Sequence, residues 1–312
     1  MNSYGHSFRL TTFGESHGTA VGGVIDGCPA GVVIEKDFIA KELCRRRDGD
    51  SPSTLTTNRK EPDLIEWLSG IYEGKTLGTP IAFMVRNRDC RPEDYEALRD
   101  CFRPGHGDYT WQQRYGCRDY RGGGRASGRE TAARVIGGAI AKLWLASQGI
   151  SVNSLRQGFE VKCIIEGVPA GVGNPVFDRL NARLAYAMLS IPSASAFAMG
   201  ESPDDWRLPA ESYPDQWIAE GSGSTLTATN HCGGVQGGIS NGMPIVFHTG
   251  FHPPVTDPDG MVCRKADGKL KRVSPHGRHD RDHSSRLPVI VESMAALTVA
   301  DFLCELKMNN KN

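Results

Sequence analysis

The 312-residue sequence has no surplus of charge of either sign: 36 Lys and Arg balance 36 Asp and Glu. A nucleic-acid-binding domain usually carries a basic excess, so no nucleic-acid partner is expected and any cationic site must be local. No run approaches the roughly 18 to 20 apolar residues that a membrane helix needs, so no membrane association is expected. The first ten residues, which include Tyr4, His6 and Arg9, lack the apolar stretch of a secretion signal. The nine cysteines contain no Cys-x-x-Cys pair and are odd in number. Reduced thiols in a cytoplasmic protein fit this better than a disulfide framework, and no metal site is expected. No Pro/Ser-rich linker divides the chain. No Gly-x-Gly-x-x-Gly opens a strand–helix unit, so there is no dinucleotide fingerprint.

Glycine, by contrast, is abundant, with 37 residues, some of them clustered in doublets and one triplet, Gly122-Gly123-Gly124. Such clusters permit positive φ and close backbone approach; tight turns alone would also explain them. Apolar spacing predicts helices over Lys36 to Arg47, Gly128 to Gln148, Asp178 to Leu189 and Pro288 to Leu306. The small residues of the second would let another helix approach closely. Strands are predicted over Val161 to Gly167 and Ile245 to Thr249, and Thr19 to Ile25 also reads as a strand. Pro253 to Lys271 reads as a long loop. Val24-Ile25-Asp26-Gly27-Cys28-Pro29-Ala30-Gly31 resembles Ile164-Ile165-Glu166-Gly167-Val168-Pro169-Ala170-Gly171, and a helical pattern follows each. A strand–turn–helix unit used twice, in two pseudo-symmetric halves around one core, would account for this, although turn residues also coincide by chance.

Catalytic-type side chains sit beside glycines in a few segments: Gly14-Glu15-Ser16-His17-Gly18, Phe102 through Asp108, Tyr120 through Thr131, and Gly277-Arg278-His279-Asp280. The triple glycine is predicted to run into a helix N-terminus at about Ser127. Exposed N–H groups, the helix dipole, Arg125 and Arg129 would together attract phosphate or carboxylate there, and Ser127 is also a plain N-cap candidate. His17 and His106 could exchange protons near neutrality, or be ordinary loop histidines. Gly14 to Gly18 matches the Gly-x-Ser-x-Gly elbow in form, but a strand rather than a helix should follow Ser16. Arg45-Arg46-Arg47 is either a solvated helix end or a recruiter of a multiply charged anion. Asp280 is a general base or an ion-pair partner. Taken by themselves these residues describe an enzyme with a polyanionic ligand and imidazole acid/base groups.

Taken together and in order, the segments resemble the chorismate synthase family. The resemblance rests on Phe13 to Gly18, the Arg103-Pro104-Gly105-His106 run ending in Asp108-Tyr109, and the run from Tyr115 to Arg125. It extends through Val176 to Leu180, Asn230-His231 and Gly277 to Asp280. It implies an α+β fold, a beta-alpha-beta sandwich with helices between sheets, spanning 1–312 as one unit, and a homotetramer. It implies a carbon–oxygen lyase reaction: 1,4-anti elimination of phosphate from 5-enolpyruvylshikimate 3-phosphate, giving chorismate, with reduced FMN as cofactor. NADPH is one candidate reductant. By resemblance His17, His106 and Asp280 are catalytic. Ser16, Arg46, Arg103 and Arg129 hold substrate. Arg125, Ala126, Ser127, Gly237, His252, Pro253, Pro254, Val255, Thr256 and Arg278 contact the cofactor.

The chain departs from the family pattern in several places. Arg125-Ala126-Ser127-Gly128-Arg129 lacks one hydroxyl. The segments His252 to Thr256 and Pro192 to Ala196 lack the family's lysines. His279-Asp280-Arg281-Asp282 replaces His-Asp-Pro-Cys, an arginine past Arg47 is absent, and several tens of residues are missing after Ser154. The alternative to a working enzyme is a diverged or inactive homologue that binds a related anionic ligand.

Overall fold

A computed structural model gives the structure, which describes residues 1–49, 61–218, 226–255, 260–274 and 282–309. The first half opens with β1 (Ser3–Tyr4), β2 (Arg9–Phe13) and β3 (Ala20–Asp26), followed by helix α1 (Lys36–Asp48). Next come β4 (Ile65–Trp67), a small hairpin of β5 (Ile71–Tyr72) and β6 (Lys75–Thr76), and β7 (Ile81–Arg86). β1 to β4 and β7 form an antiparallel sheet in the order β1-β2-β3-β7-β4. The chain then crosses through β8 (Cys101–Phe102) and α2 (Asp108–Tyr115) to the buried helix α3 (Thr131–Ala146).

The second half repeats the plan. It contains β9 (Ser151–Gln157), β10 (Glu160–Glu166), α4 (Leu180–Leu189), β11 (Ala194–Met199), a small hairpin of β12 (Val235–Gln236) and β13 (Ile239–Ser240), and β14 (Ile245–Phe251). Its sheet order, β9-β10-β14-β11, matches β2-β3-β7-β4 strand for strand. Even the isolated bridges correspond: Val33 pairs with Lys75 in the first small hairpin, and Gly173 with Ile239 in the second. β15 (Met261–Lys265) pairs with β8 on one side and β16 (Leu270–Val273) on the other, and α5 (Leu287–Asn309) closes the described chain.

The repeated Gly-x-Pro-Ala-Gly turn has a common cause. Gly27 and Gly167 end β3 and β10 with φ of +80° and +82°. A Cβ at either position would overlap a carbonyl oxygen, that of Ser7 or of Gly149. A left-handed turn packed against a neighbouring backbone segment therefore requires glycine at both sites. One apolar cluster joins both sheets and all the helices except α2, with Phe8, Ile39, Phe83, Ile136, Ile165, Leu184 and Phe247 fully or almost fully buried. α3 and α5 touch closely, since a Cβ on Gly138 would collide with Ser293. The fold is α+β, with helices between sheets.

Three expectations need correction. The segment from Gly128 is first a 3-10 turn, and α3 starts at Thr131. Pro253 to Lys271 is not all loop: β15 lies within it and β16 starts there, held by pairing to β8 across the chain. Residues 284–307 are long and apolar enough in composition to cross a bilayer, contrary to the reading that no such stretch exists, yet that apolar window is wholly buried in the protein.

Candidate active site

The loops at one end of the two sheets and the starts of α2, α3 and α5 enclose a cavity of about 510 Å³. His17, Arg46, Arg103, His106, Ala126, Ser127, Arg129, His252, Pro254 and Val255 all line it. Segments nearly 240 residues apart in sequence thus reach one space. The charged groups are deeply set: Arg46, Arg103 and Arg129 are 8%, 8% and 5% exposed.

His17 follows the turn after β2. Its Nδ1 is 3.0 Å from the Ser16 hydroxyl, and its ring packs edge-on to Tyr95 with centroids 4.9 Å apart. Ser16 is buried behind it, also bonded to the carbonyls of Arg121 and Gly122, and does not line the cavity. β3 rather than a helix follows, so the hydrolase elbow geometry is absent. The glycine triplet explains how the imidazole fits. Gly122 has φ +62°, and a Cβ there would overlap the His17 ring. His106 turns Nδ1 to the Pro104 carbonyl at 2.9 Å. A carbonyl only accepts, so that nitrogen carries the proton and fixes the tautomer of the neutral ring.

Arg103 forms a two-pronged pair with Asp108 at the start of α2, at 2.8 and 2.9 Å. Burial pushes the Asp108 carboxyl up, but the Arg103 hydrogen bonds and charge outweigh it and hold it below the ordinary carboxylate range. Arg46 leaves α1 to donate to Thr131 Oγ1 at 3.1 Å and to the Gly128 carbonyl at 3.0 Å. Arg129 donates to Asn87 Oδ1 at 2.9 Å and to Asp63. Its Nη2 is buried and has no hydrogen-bond partner among the described residues, as expected of a donor kept for a ligand. Ser127 accepts the Arg129 N–H at 3.3 Å as N-cap of the 3-10 turn. Arg45, one residue before Arg46, joins a buried ion network with Glu42 and Glu292, so a solvated helix end describes neither.

Other expected site residues lie elsewhere. Arg125 faces a neighbouring cavity of about 1060 Å³, where it donates to Thr12 Oγ1 and the Gly14 carbonyl and lies 3.7 Å from Glu130. Gly237 sits in the β12–β13 turn with φ +62°, outside both cavities. Pro253 flanks the first cavity without lining it; its carbonyl accepts from His252 Nδ1 at 2.8 Å. Thr256, Arg278 and Asp280 fall outside the described residues. Reading the sequence missed Asp63 and Asn87, which brace Arg129, Glu61, which accepts the backbone N–H groups of Arg88 and Asp89, and His283 with Ser193 on the cavity wall, bonded at 3.0 Å. The φ of +49° at Asp63 and +69° at Ser193 marks both as constrained, but no local pattern announces them.

The family profile described as chorismate synthase matches residues 8–158 and 156–304. The two stretches meet at the tight β9–β10 turn. The chorismate synthase of Christiangramia forsetii is 42% identical, over 98% of this chain and 98% of that protein. That of Azobacteroides pseudotrichonymphae is also 42% identical, over 97% and 99%. A crystal structure of a chorismate synthase superimposes with a TM-score of 0.72 at 25% identity, covering 97% of this chain and 93% of that one. The chain belongs to the chorismate synthase family and is a lyase of that type.

Proposed function

We propose that the cavity containing His17 and His106 is where this chain removes phosphate from 5-enolpyruvylshikimate 3-phosphate by 1,4-anti elimination to give chorismate, with reduced FMN as cofactor. The observation that carries the reading is the convergence of two imidazoles and three buried arginines on one space. The substrate carries two carboxylates and a phosphate. Arg46, Arg103 and Arg129 supply fixed, forked donors for these anions at low solvent exposure, where charge-assisted bonds are strong.

His17 delivers a proton to the departing phosphate, and the Ser16 hydroxyl holds the ring for that transfer. As the C–O bond lengthens, charge grows on the phosphate oxygens. A proton donor and preorganised cations lower the barrier at that moment, when the charge is largest. His106, its tautomer set by Pro104, stands as the second proton-carrying group, beside the cofactor. Asp280, expected to accept the ring hydrogen with the flavin, keeps that role as part of the proposal.

The residues present fit a flavin. The glycine backbones at Gly105, Gly107, Gly123 and Gly128 line the cavity, and Ala126, Ser127, Pro254 and Val255 adjoin them. Ile191, Leu287 and Ile290 add an apolar wall suited to a flat ring system. Bound reduced FMN would supply electron density as the C–O bond breaks and an acceptor for the ring hydrogen. The lysines of the family pattern are replaced here by His252 and Ser195, so flavin affinity rests on backbone and apolar contacts more than on fixed charge. NADPH as reductant belongs to the same proposal.

Homotetramer assembly is supported by exposed apolar residues at α4: Phe177 is 94% exposed, Tyr186 54% and Leu189 50%. A cytoplasmic location is supported by nine free cysteines. Growth of an aromatic auxotroph that lacks chorismate synthase tests the function: expression of this chain should restore growth without aromatic supplements. Failure to do so by well-expressed, folded protein would contradict the reading.

A further inference from the structure

Asp63 stands between two of the cavity's arginines. Its Oδ1 accepts from Arg129 Nη1, and its Oδ2 lies 3.6 Å from Arg46 Nη1. Its side chain is only 3% exposed, and its backbone holds the left-handed φ of +49°. Aspartate tolerates that region better than most residues, but the conformation still costs free energy and persists only where the surroundings enforce it. Here both flanks enforce it. Glu61, two residues earlier, accepts the backbone N–H groups of Arg88 at 2.9 Å and Asp89 at 3.2 Å, which ties the strap to the end of β7. Asn87, in the same stretch, accepts from Arg129 and donates to the carbonyls of Glu15 at 3.0 Å and Gly18 at 2.8 Å, on either side of His17.

We propose that Asp63 is a positioning residue, which sets the orientation and net charge of the Arg46–Arg129 pair and so couples anion binding to turnover; this rests on the reading of the cavity as the substrate site. Two buried guanidiniums side by side repel each other, and the carboxylate between them lets them stay close. It also reduces their combined charge from two to one. A pair with that charge attracts a phosphate without holding it after the bond has broken. With Asp63 neutralised, the pair gains charge and loses registration. Anions should then bind more tightly and react more slowly.

The test is Asp63→Asn, which keeps the size and an oxygen acceptor for Arg129. Inorganic phosphate is titrated into wild type and variant, following the rise in melting temperature, and turnover is measured in parallel. Asp63→Asn should bind phosphate at least about three-fold more tightly and turn over at least about five-fold more slowly, whereas loosened packing would slow turnover and weaken phosphate binding together. Asp63→Glu, which retains the charge, should return phosphate affinity to within about two-fold of wild type. Phosphate binding no tighter in Asp63→Asn, or a smaller fall in its turnover, overturns the proposal. Should that variant fail to fold by circular dichroism, Asp63→Glu decides: near-wild-type phosphate affinity with slowed turnover supports the proposal, and unchanged turnover overturns it. Inactive wild-type protein would instead count against the function assigned above, and the phosphate titration would still judge Asp63.

Discussion

At the scale of single residues, the cavity depends on where side chains are allowed to be. Gly122 gives the clearest case, because its missing Cβ is the space His17 occupies and its φ of +62° lies in the left-handed region that side chains rarely adopt. Gly122→Ala should therefore displace the imidazole, lowering turnover more than it lowers stability, where a cost of about 1–3 kcal/mol is expected. Steady-state kinetics beside a denaturant titration would check this. His17→Ala and His106→Ala should each reduce turnover by about 10²- to 10⁴-fold, the usual worth of a positioned proton donor or acceptor. Both rings are partly exposed, so the melting temperature should change little; full activity in either variant would contradict its role. Much of the site could be read from the sequence at this scale. His17, His106, Arg103 and Arg129 sit in short glycine-bounded segments whose chemistry shows on the page. Asp63 and Asn87 could not be read this way: their importance comes from contacts with residues 42 or more positions away. The sequence also could not say which cavity Arg125 faces, since Thr12 and Glu130 hold it toward the second one.

At the scale of elements, a buried ion network fixes the helix layer behind the cavity. Glu292 on α5 accepts from Arg45 of α1 at 2.7 and 2.9 Å, from Lys142 of α3 at 2.5 Å and from Ser154 of β9 at 2.7 Å. Burial pushes the Glu292 carboxyl up, but Arg45 and Lys142 overcome it and hold it below its ordinary value. A depressed folded-state pKa stabilises the protein above the unfolded carboxyl's pKa, near 4.3, and that stabilisation is lost as pH falls through the folded value. Glu292→Ala should cost about 1–3 kcal/mol at neutral pH, because Arg45 and Lys142 each lose one of two carboxylates and keep only Glu42. Its stability should also fall less steeply than wild type's on acidification below about pH 4. Chemical denaturation across that pH range measures both. The helices themselves were legible from their apolar spacing; α1 runs one residue beyond expectation and α4 begins two residues late. β15 and β16 were not legible. They are short, with only Met261, Cys263 and Val273 buried, and pairing of β15 with β8 from far upstream is what orders them.

At the scale of the whole molecule, a unit of hairpin, helix, small hairpin and long strand appears twice, with one apolar core between the copies. The repeated turn in the sequence was the visible trace of this duplication. The match of strand orders was not visible, because the flanking residues have diverged to serve different ends. In the first half the β2–β3 turn carries His17. The corresponding turn of the second half, Gly158-Phe159, carries no titratable group and is reduced to the tight link between β9 and β10. Gly27→Ala and Gly167→Ala should destabilise the fold by similar amounts, about 1–3 kcal/mol each, since each forces a β-carbon onto a neighbouring carbonyl at an equivalent place. Equal shifts in melting temperature would support the equivalence, and a shift in only one would not.

The central claim concerns chemistry in one cavity. The most direct measurement is anaerobic incubation of the purified protein with reduced FMN and 5-enolpyruvylshikimate 3-phosphate, following chorismate and inorganic phosphate together. The account predicts that the two appear in equal amounts, with no net consumption of reduced flavin, and that both are lost in His17→Ala. Folded protein that binds the flavin but releases neither product, or His17→Ala that releases both at the wild-type rate, would contradict it.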